Sequence, residues 1–107
     1  MTILHKDALS LIMLGTTHVI DMGGKQAFIY YENASDAHML LPDGTRYHGS
    51  WRLGDDGYSV DWRDGPTASW QLDHGAGTID YLDSTGTARG RLARIDFGDS
   101  AQLVERI

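Results

Sequence analysis

Between residues 46 and 83 apolar and polar positions alternate. Tyr47, Gly49, Trp51 and Leu53 fall on one side of an extended segment, and His48, Ser50 and Arg52 on the other. Tyr58, Val60 and Trp62 oppose Ser59, Asp61 and Arg63. Ala68, Trp70 and Leu72 oppose Ser69, Gln71 and Asp73, and Ile79 and Tyr81 oppose Thr78 and Asp80. A period of 2 marks a strand with one buried face, whereas a helix would scatter these rings around its surface. The segments are separated by Pro42-Asp43-Gly44, Gly54-Asp55-Asp56-Gly57, Asp64-Gly65-Pro66, His74-Gly75-Ala76-Gly77, Ser84-Thr85-Gly86 and Phe97-Gly98-Asp99. Gly and Asp supply the left-handed or side-chain-capped backbone that tight turns need. The turns recur about every ten residues, the spacing of short antiparallel strands joined by hairpins.

The flanks are less regular. Thr16–Ile20 and Lys25–Tyr31 read as a hairpin across Met22-Gly23-Gly24, Ala37–Leu41 as a third strand, and Ala88–Ile95 and Ala101–Glu105 as the last two. In residues 16–41 a slip of one residue would exchange inside and outside. Ala8–Leu14 reads as a short buried helix, with Gly15 where a C-terminal cap stands. Leu9, Leu11, Ile12 and Met13 cover most of its surface, so the helix is expected to plug a barrel mouth or to pack against another subunit. A secretory signal fits the run poorly: it is short, Asp7 adjoins it, and no Ala-x-Ala follows.

These elements predict an all-β fold: a single small antiparallel up-and-down β-barrel of about eight to nine short strands, with residues 1–15 as an N-terminal helix and 16–107 as the barrel. Short turns without a long crossover favour a barrel over a sandwich, and closure removes exposed edges. Strands of this length span ~17–23 Å. A barrel of about eight has an interior that side chains nearly fill or that holds one small ligand.

Composition narrows the partners. With 107 residues the chain fits one domain, and 9 basic against 15 acidic residues give a formal charge of −6. The absence of Cys excludes a disulfide framework, a zinc knuckle, a thiol nucleophile and an iron–sulfur cluster, and fits a cytoplasmic location. No stretch approaches the ~20 apolar residues of a membrane-spanning helix, so no membrane partner is expected. An acidic chain without a Lys/Arg cluster is a poor match for nucleic acid.

Candidate chemistry lies in the histidines, the rings and the arginines. No His-x-His and no His-Glu-x-x-His occurs, and neither a metal nor another cofactor is expected. His38 and His48 fall opposite each other if the hairpin around Asp43-Gly44 pairs symmetrically. Two imidazoles there could share a metal, or one could act as a general base; alternatively both face solvent, as Ser50 and Arg52 imply for His48. Most aspartates lie in or beside turns, where their own backbone hydrogen bonds explain them. Trp51, Trp62, Trp70, Tyr47, Tyr58 and Tyr81 share one predicted face, either as a stacking wall for a planar ligand or as the core itself. Tyr31 is expected inside with Ala27 and Ile29, which leaves Glu32 wet. Arg89 and Arg91 share one face, and Leu92 and Arg94 the other. One of these arginines approaching the interior would anchor an anion, with Arg94 or His38 as the polar anchor. Nucleotide-binding glycine loops and serine nucleophile elbows are absent.

The stretch Thr78-Ile79-Asp80-Tyr81-Leu82-Asp83-Ser84-Thr85-Gly86-Thr87-Ala88-Arg89-Gly90, with Trp70 and Leu72 ahead of it, resembles a motif of small bacterial β-barrel proteins of streptavidin-like, or more broadly calycin-like, fold. Leu14-Gly15-Thr16-Thr17, Tyr30-Tyr31, Asp43-Gly44-Thr45, Gly49-Ser50-Trp51 and Trp62 resemble other small bacterial domains of unassigned function. The resemblance rests on turn glycines and core aromatics. It implies a barrel that binds a ligand, and it carries over no catalytic residue.

The leading expectation is a cytoplasmic barrel binding a small planar or aromatic molecule through Tyr31, Tyr47, Trp51, Tyr58, Trp62, Trp70, Tyr81 and Arg94. A second is a small subunit or interaction module of a homo- or hetero-oligomeric assembly, using the helix around Leu9–Leu14 and the strand Ala101–Glu105. A third is a cofactor-free lyase or isomerase working by acid–base action of His38, His48 and Tyr31.

Overall fold

A computed structural model describes residues 2–104. Along the chain run β1 (Thr2–Ile3), α1 (Lys6–Met13), β2 (Thr16–Asp21), β3 (Gln26–Tyr31), β4 (Asp36–Leu40), β5 (Arg46–Leu53), β6 (Tyr58–Trp62), β7 (Thr67–His74), β8 (Ile79–Leu82) and β9 (Ala88–Phe97). From β2 to β9 each strand pairs antiparallel with the next, and β9 returns to pair with β2, closing an eight-stranded up-and-down barrel. β1 adds two residues beside β7, through Thr2↔His74 and Ile3↔Asp73. The all-β barrel with a short N-terminal helix is therefore the fold that forms.

The alternation of residues 46–83 maps onto the wall, except that Asp73, expected on the wet face, is buried where β1 pairs with β7. Trp51, Tyr58, Val60, Trp62, Leu72 and Tyr81 join one buried cluster, while Ser50, Arg52, Asp61 and Gln71 face solvent. One position on the inner face needs glycine. A Cβ on Gly49 would run into the Asp61 carbonyl oxygen and crowd the Trp62 Cα at 2.8 Å, so the close approach of β5 and β6 depends on its absence.

The hairpin turns β2–β3, β4–β5, β6–β7 and β8–β9 gather at one end of the barrel. The other end is capped by α1. Leu9 and Met13 point down into the cluster that holds Tyr31, Trp51 and Leu72. The segment before the helix is tied down by Leu4 N–H to the Leu72 carbonyl and Lys6 N–H to the Asp55 carbonyl, each 2.9 Å. His5 Nδ1 adds a 2.6 Å contact to Asp56 Oδ1. Gly15, with φ +72°, ends the helix in a left-handed turn and passes its N–H to the Tyr31 carbonyl at 2.8 Å. The helix plugs the barrel with one side only: Leu11, expected to be buried, is 81% exposed.

Two further expectations are corrected. Residues 101–104 form no strand. Asp99 turns the chain there, its carboxylate oxygens accepting from Leu103 N–H and Val104 N–H at 2.8 Å each, so the backbone is satisfied locally instead of in a ladder. Glu105 lies outside the described residues. In β9, Val19 pairs with Arg94 but Ile20 pairs with Leu92, which makes Ala93 an extra residue. This bulge ends the alternation, so Arg94 does not share the face of Leu92. Arg94 is on the outside, its Nε 3.1 Å from Asp96 Oδ1.

β2 shows why alternation was weak in the N-terminal part. Thr16 to Ile20 are all buried, on both faces. His18 and Ile20 face inward. Thr17 faces out beneath the chain beyond β9, donating its hydroxyl to the Gly98 carbonyl at 2.7 Å and accepting Ser100 N–H at 3.2 Å.

Candidate functional site

The barrel interior is not filled. A cavity of about 270 Å³ runs from its middle to the end opposite α1. Its walls are inward-facing residues from all eight barrel strands and their turns, among them Ile29, Met39, Tyr47, Val60, Trp62 and Trp70. The plugged end supplies the floor and the four hairpin turns surround the mouth, because strand direction places Tyr31, Tyr58 and Tyr81 deep and Leu41, Pro66 and Ala68 at the opening.

Three phenols build the floor, and a histidine backs them. The Tyr31 hydroxyl donates to the Tyr58 hydroxyl at 3.1 Å. His18 Nε2 donates to the Ile12 carbonyl at 2.9 Å, since a carbonyl only accepts. Burial holds the His18 pKa down at about 4, partly offset by that hydrogen bond, so the ring is neutral and its Nδ1 is an acceptor. The Tyr81 hydroxyl, 2.7 Å away, is therefore the donor to Nδ1. Tyr31 packs edge-on against the rings of His18 and Tyr58, at centroid distances of 5.1 and 5.7 Å.

These bonds leave two capacities open toward the cavity. Tyr58 accepts a hydrogen bond from Tyr31, and among the described residues its own hydroxyl hydrogen has no acceptor. The Tyr81 oxygen has donated and keeps its lone pairs. Burial pushes the hydroxyls of Tyr31, Tyr58 and Tyr81 above their ordinary range, so all three stay neutral. With His18 also neutral and its Nδ1 occupied, the floor can orient a ligand by hydrogen bonds and has no free base to take a proton from it.

Tyr31, Tyr47, Tyr58, Trp62, Trp70 and Tyr81, six of the predicted binding residues, line this one cavity. Trp51 does not. It lies nearer the helix, with its indole N–H donated to the Asn33 carbonyl at 2.7 Å and its ring 4.9 Å from that of Tyr31. Arg94 is remote, on the outer wall. The arginine at the mouth is Arg89. Met39 and Ile29 also line the cavity, and His18 lies behind its phenols, bonded to Tyr81. No sequence signal marks His18, because β2 is buried on both faces and shows no alternation.

His38 and His48 do pair across β4 and β5, on the outside of the barrel. Their Nδ1 atoms lie 2.7 Å apart, and His38 Nε2 is 2.8 Å from Glu32 Oε1. Two Nδ1 atoms so close share a single proton. Tyr30 stacks on His38 at 6.1 Å. Tyr31 is on the other face of the sheet, so the three residues proposed for acid–base chemistry do not converge. Among the described residues no three His, Cys, Asp or Glu side chains are grouped to hold a metal ion. A wider recess of about 430 Å³ on the outer surface is walled by turns and by short polar side chains such as Ser59, Ser69 and Ser84, and gathers no reactive cluster.

No helix among the described residues is long and apolar enough to cross a membrane. Comparison of the chain with protein-family models, curated proteins and solved structures finds no match.

Proposed function

We propose that the chain is a small-molecule-binding β-barrel whose ligand is planar, of one or two fused rings, and presents a hydrogen-bond acceptor to Tyr58. The observation that carries this reading is the combination of an open apolar cavity with an unused donor on its floor. A barrel that needed only a core would fill this space, as protein interiors pack densely with few voids larger than a water molecule. The volume, about 270 Å³, lies just below the ~300–1,000 Å³ usual for ligand sites, which fits a small ring system and excludes a large lipid. The resemblance to streptavidin-like and calycin-like barrels points the same way. Without a free base among the phenols and His18, binding is favoured over lyase or isomerase chemistry.

Titration with 2-naphthol, followed by the fluorescence of Trp62 and Trp70, tests the reading. Quenching that saturates is expected. Tyr58→Phe is expected to lower the affinity about tenfold, toward that of naphthalene, as loss of one buried hydrogen bond does. Quenching that never saturates, or that Tyr58→Phe leaves unchanged, would count against the site.

A second reading, association with another copy of the chain, is favoured by a separate observation. Phe97 is 94% exposed and Leu11 81% exposed. Both lie at the plugged end, where Gly98 N–H donates to the Gly15 carbonyl at 2.8 Å. Native mass spectrometry should then show an oligomer that Phe97→Ser dissociates. A wild-type monomer at every concentration sinks it.

A further inference from the structure

The cavity mouth carries one charge. Among the side chains lining the cavity, Arg89 alone carries a formal charge at neutral pH, and the other lining residues are apolar, aromatic or glycine. Its position is a product of irregular backbone. Tyr81 pairs with Gly90 and Leu82 with Ala88, so Arg89 is the extra residue of a β-bulge at the first turn of β9. Regular pairing would turn it outward beside Arg91, which binds Asp80 on the outer wall at 2.7 Å. The bulge re-aims it to the rim instead.

The guanidinium, on a side chain 60% exposed, has one anchor. Arg89 Nε donates to Asp83 Oδ2 at 2.7 Å. Asp83 is itself fixed by its turn, with Oδ1 accepting from the Thr85 hydroxyl at 2.6 Å, Thr85 N–H at 2.9 Å and Thr87 N–H at 3.1 Å. The Thr85 hydroxyl and the Arg89 guanidinium hold the Asp83 carboxyl well below the usual carboxylate range, so it stays ionised. Only Nε is used in this pair. Among the described residues the terminal Nη1 and Nη2 groups of Arg89 have no hydrogen-bond partner, and they form the flat fork that matches a carboxylate.

We propose that the ligand is an anionic aromatic acid, with its ring system inside the barrel and its carboxylate on Arg89 Nη1 and Nη2 at the mouth. This rests on the binding reading above and adds the charge and the direction of entry. Asp83 is a positioning residue. It uses Nε and leaves the fork free, and the turn that fixes Asp83 fixes the fork.

The test compares 6-hydroxy-2-naphthoate with its uncharged counterpart 6-hydroxy-2-naphthamide, by calorimetry and Trp fluorescence. The wild type is expected to bind the acid about tenfold more tightly than the amide, the effect of a charge-assisted hydrogen bond. The preference should shrink as salt is raised. Arg89→Gln should abolish the preference for the acid, and a circular dichroism spectrum like that of the wild type shows that the variant is folded. Arg94→Gln should alter neither. Equal binding of acid and amide by the wild type overturns the anion anchor and leaves the cavity reading standing. An acid preference that survives Arg89→Gln overturns the role of Arg89. Binding of neither probe overturns both readings together.

Discussion

At the scale of single residues, the floor of the cavity shows how burial selects protonation states. His18 is fully buried and its pKa is held down at about 4, against an ordinary 6.5. Above pH 6.5 the ring is neutral in the folded and unfolded chain alike. Below it, the unfolded chain takes up a proton that the folded chain refuses, so stability falls with falling pH until about pH 4. The full loss is on the order of 3 kcal/mol. Urea unfolding between pH 7 and 4.5 is expected to show it, and His18→Gln is expected to flatten that part of the profile. The window avoids Asp80 and Asp83, whose lowered pKa values place their losses below pH 4. A variant as acid-sensitive as the wild type would show that the proton is taken up elsewhere. Sequence pattern found the three phenols, since each stands on an inner position of a strand, Tyr58 and Tyr81 in the regular stretch and Tyr31 in step with Ala27 and Ile29. It missed their histidine, because Thr16 to Ile20 offer no polar face against which to read an inner one.

At the scale of elements, α1 divides into a buried and a free side. Leu9 and Met13 close the barrel and Leu11 touches little. Leu9→Ala removes side-chain volume from a site with no exposure and is expected to destabilise by ~2–5 kcal/mol. Leu11→Ala should stay within ~0.5 kcal/mol, as substitutions at such exposed positions do. Chemical denaturation of the two variants settles the pair, and equal losses would mean that Leu11 is covered in solution, as association of copies requires. The strands between residues 46 and 83 were legible because each turn names itself with Gly or Asp and each inner face carries rings. The two bulges of β9 were not. A bulge adds one residue with no compositional mark, and the extra residues Arg89 and Ala93 resemble their neighbours. For that reason sequence placed Arg94 near the interior, while pairing with β2 and β8 sends Arg94 out and Arg89 to the mouth.

At the scale of the whole molecule, closure does two things at once. It satisfies every strand edge of the barrel, and it encloses more space than the inner side chains fill. One end is spent on α1. The other keeps its opening, and the rim carries small residues such as Ala68. An unfilled apolar space lowers stability, because the atoms around it lose packing partners. A protein that uses the space for a ligand trades stability for binding, and that trade can be measured. Ala68→Leu adds methylenes at the mouth, on the inner face of β7. Cavity-filling changes commonly add ~0.5–2 kcal/mol, so the melting temperature should rise while 2-naphthol binding is lost. If the cavity were a packing defect, stability would rise with no binding to lose. If Ala68→Leu lowered stability, the wall around Ala68 would already be as full as the fold allows, and the site would have to be sought elsewhere on the barrel.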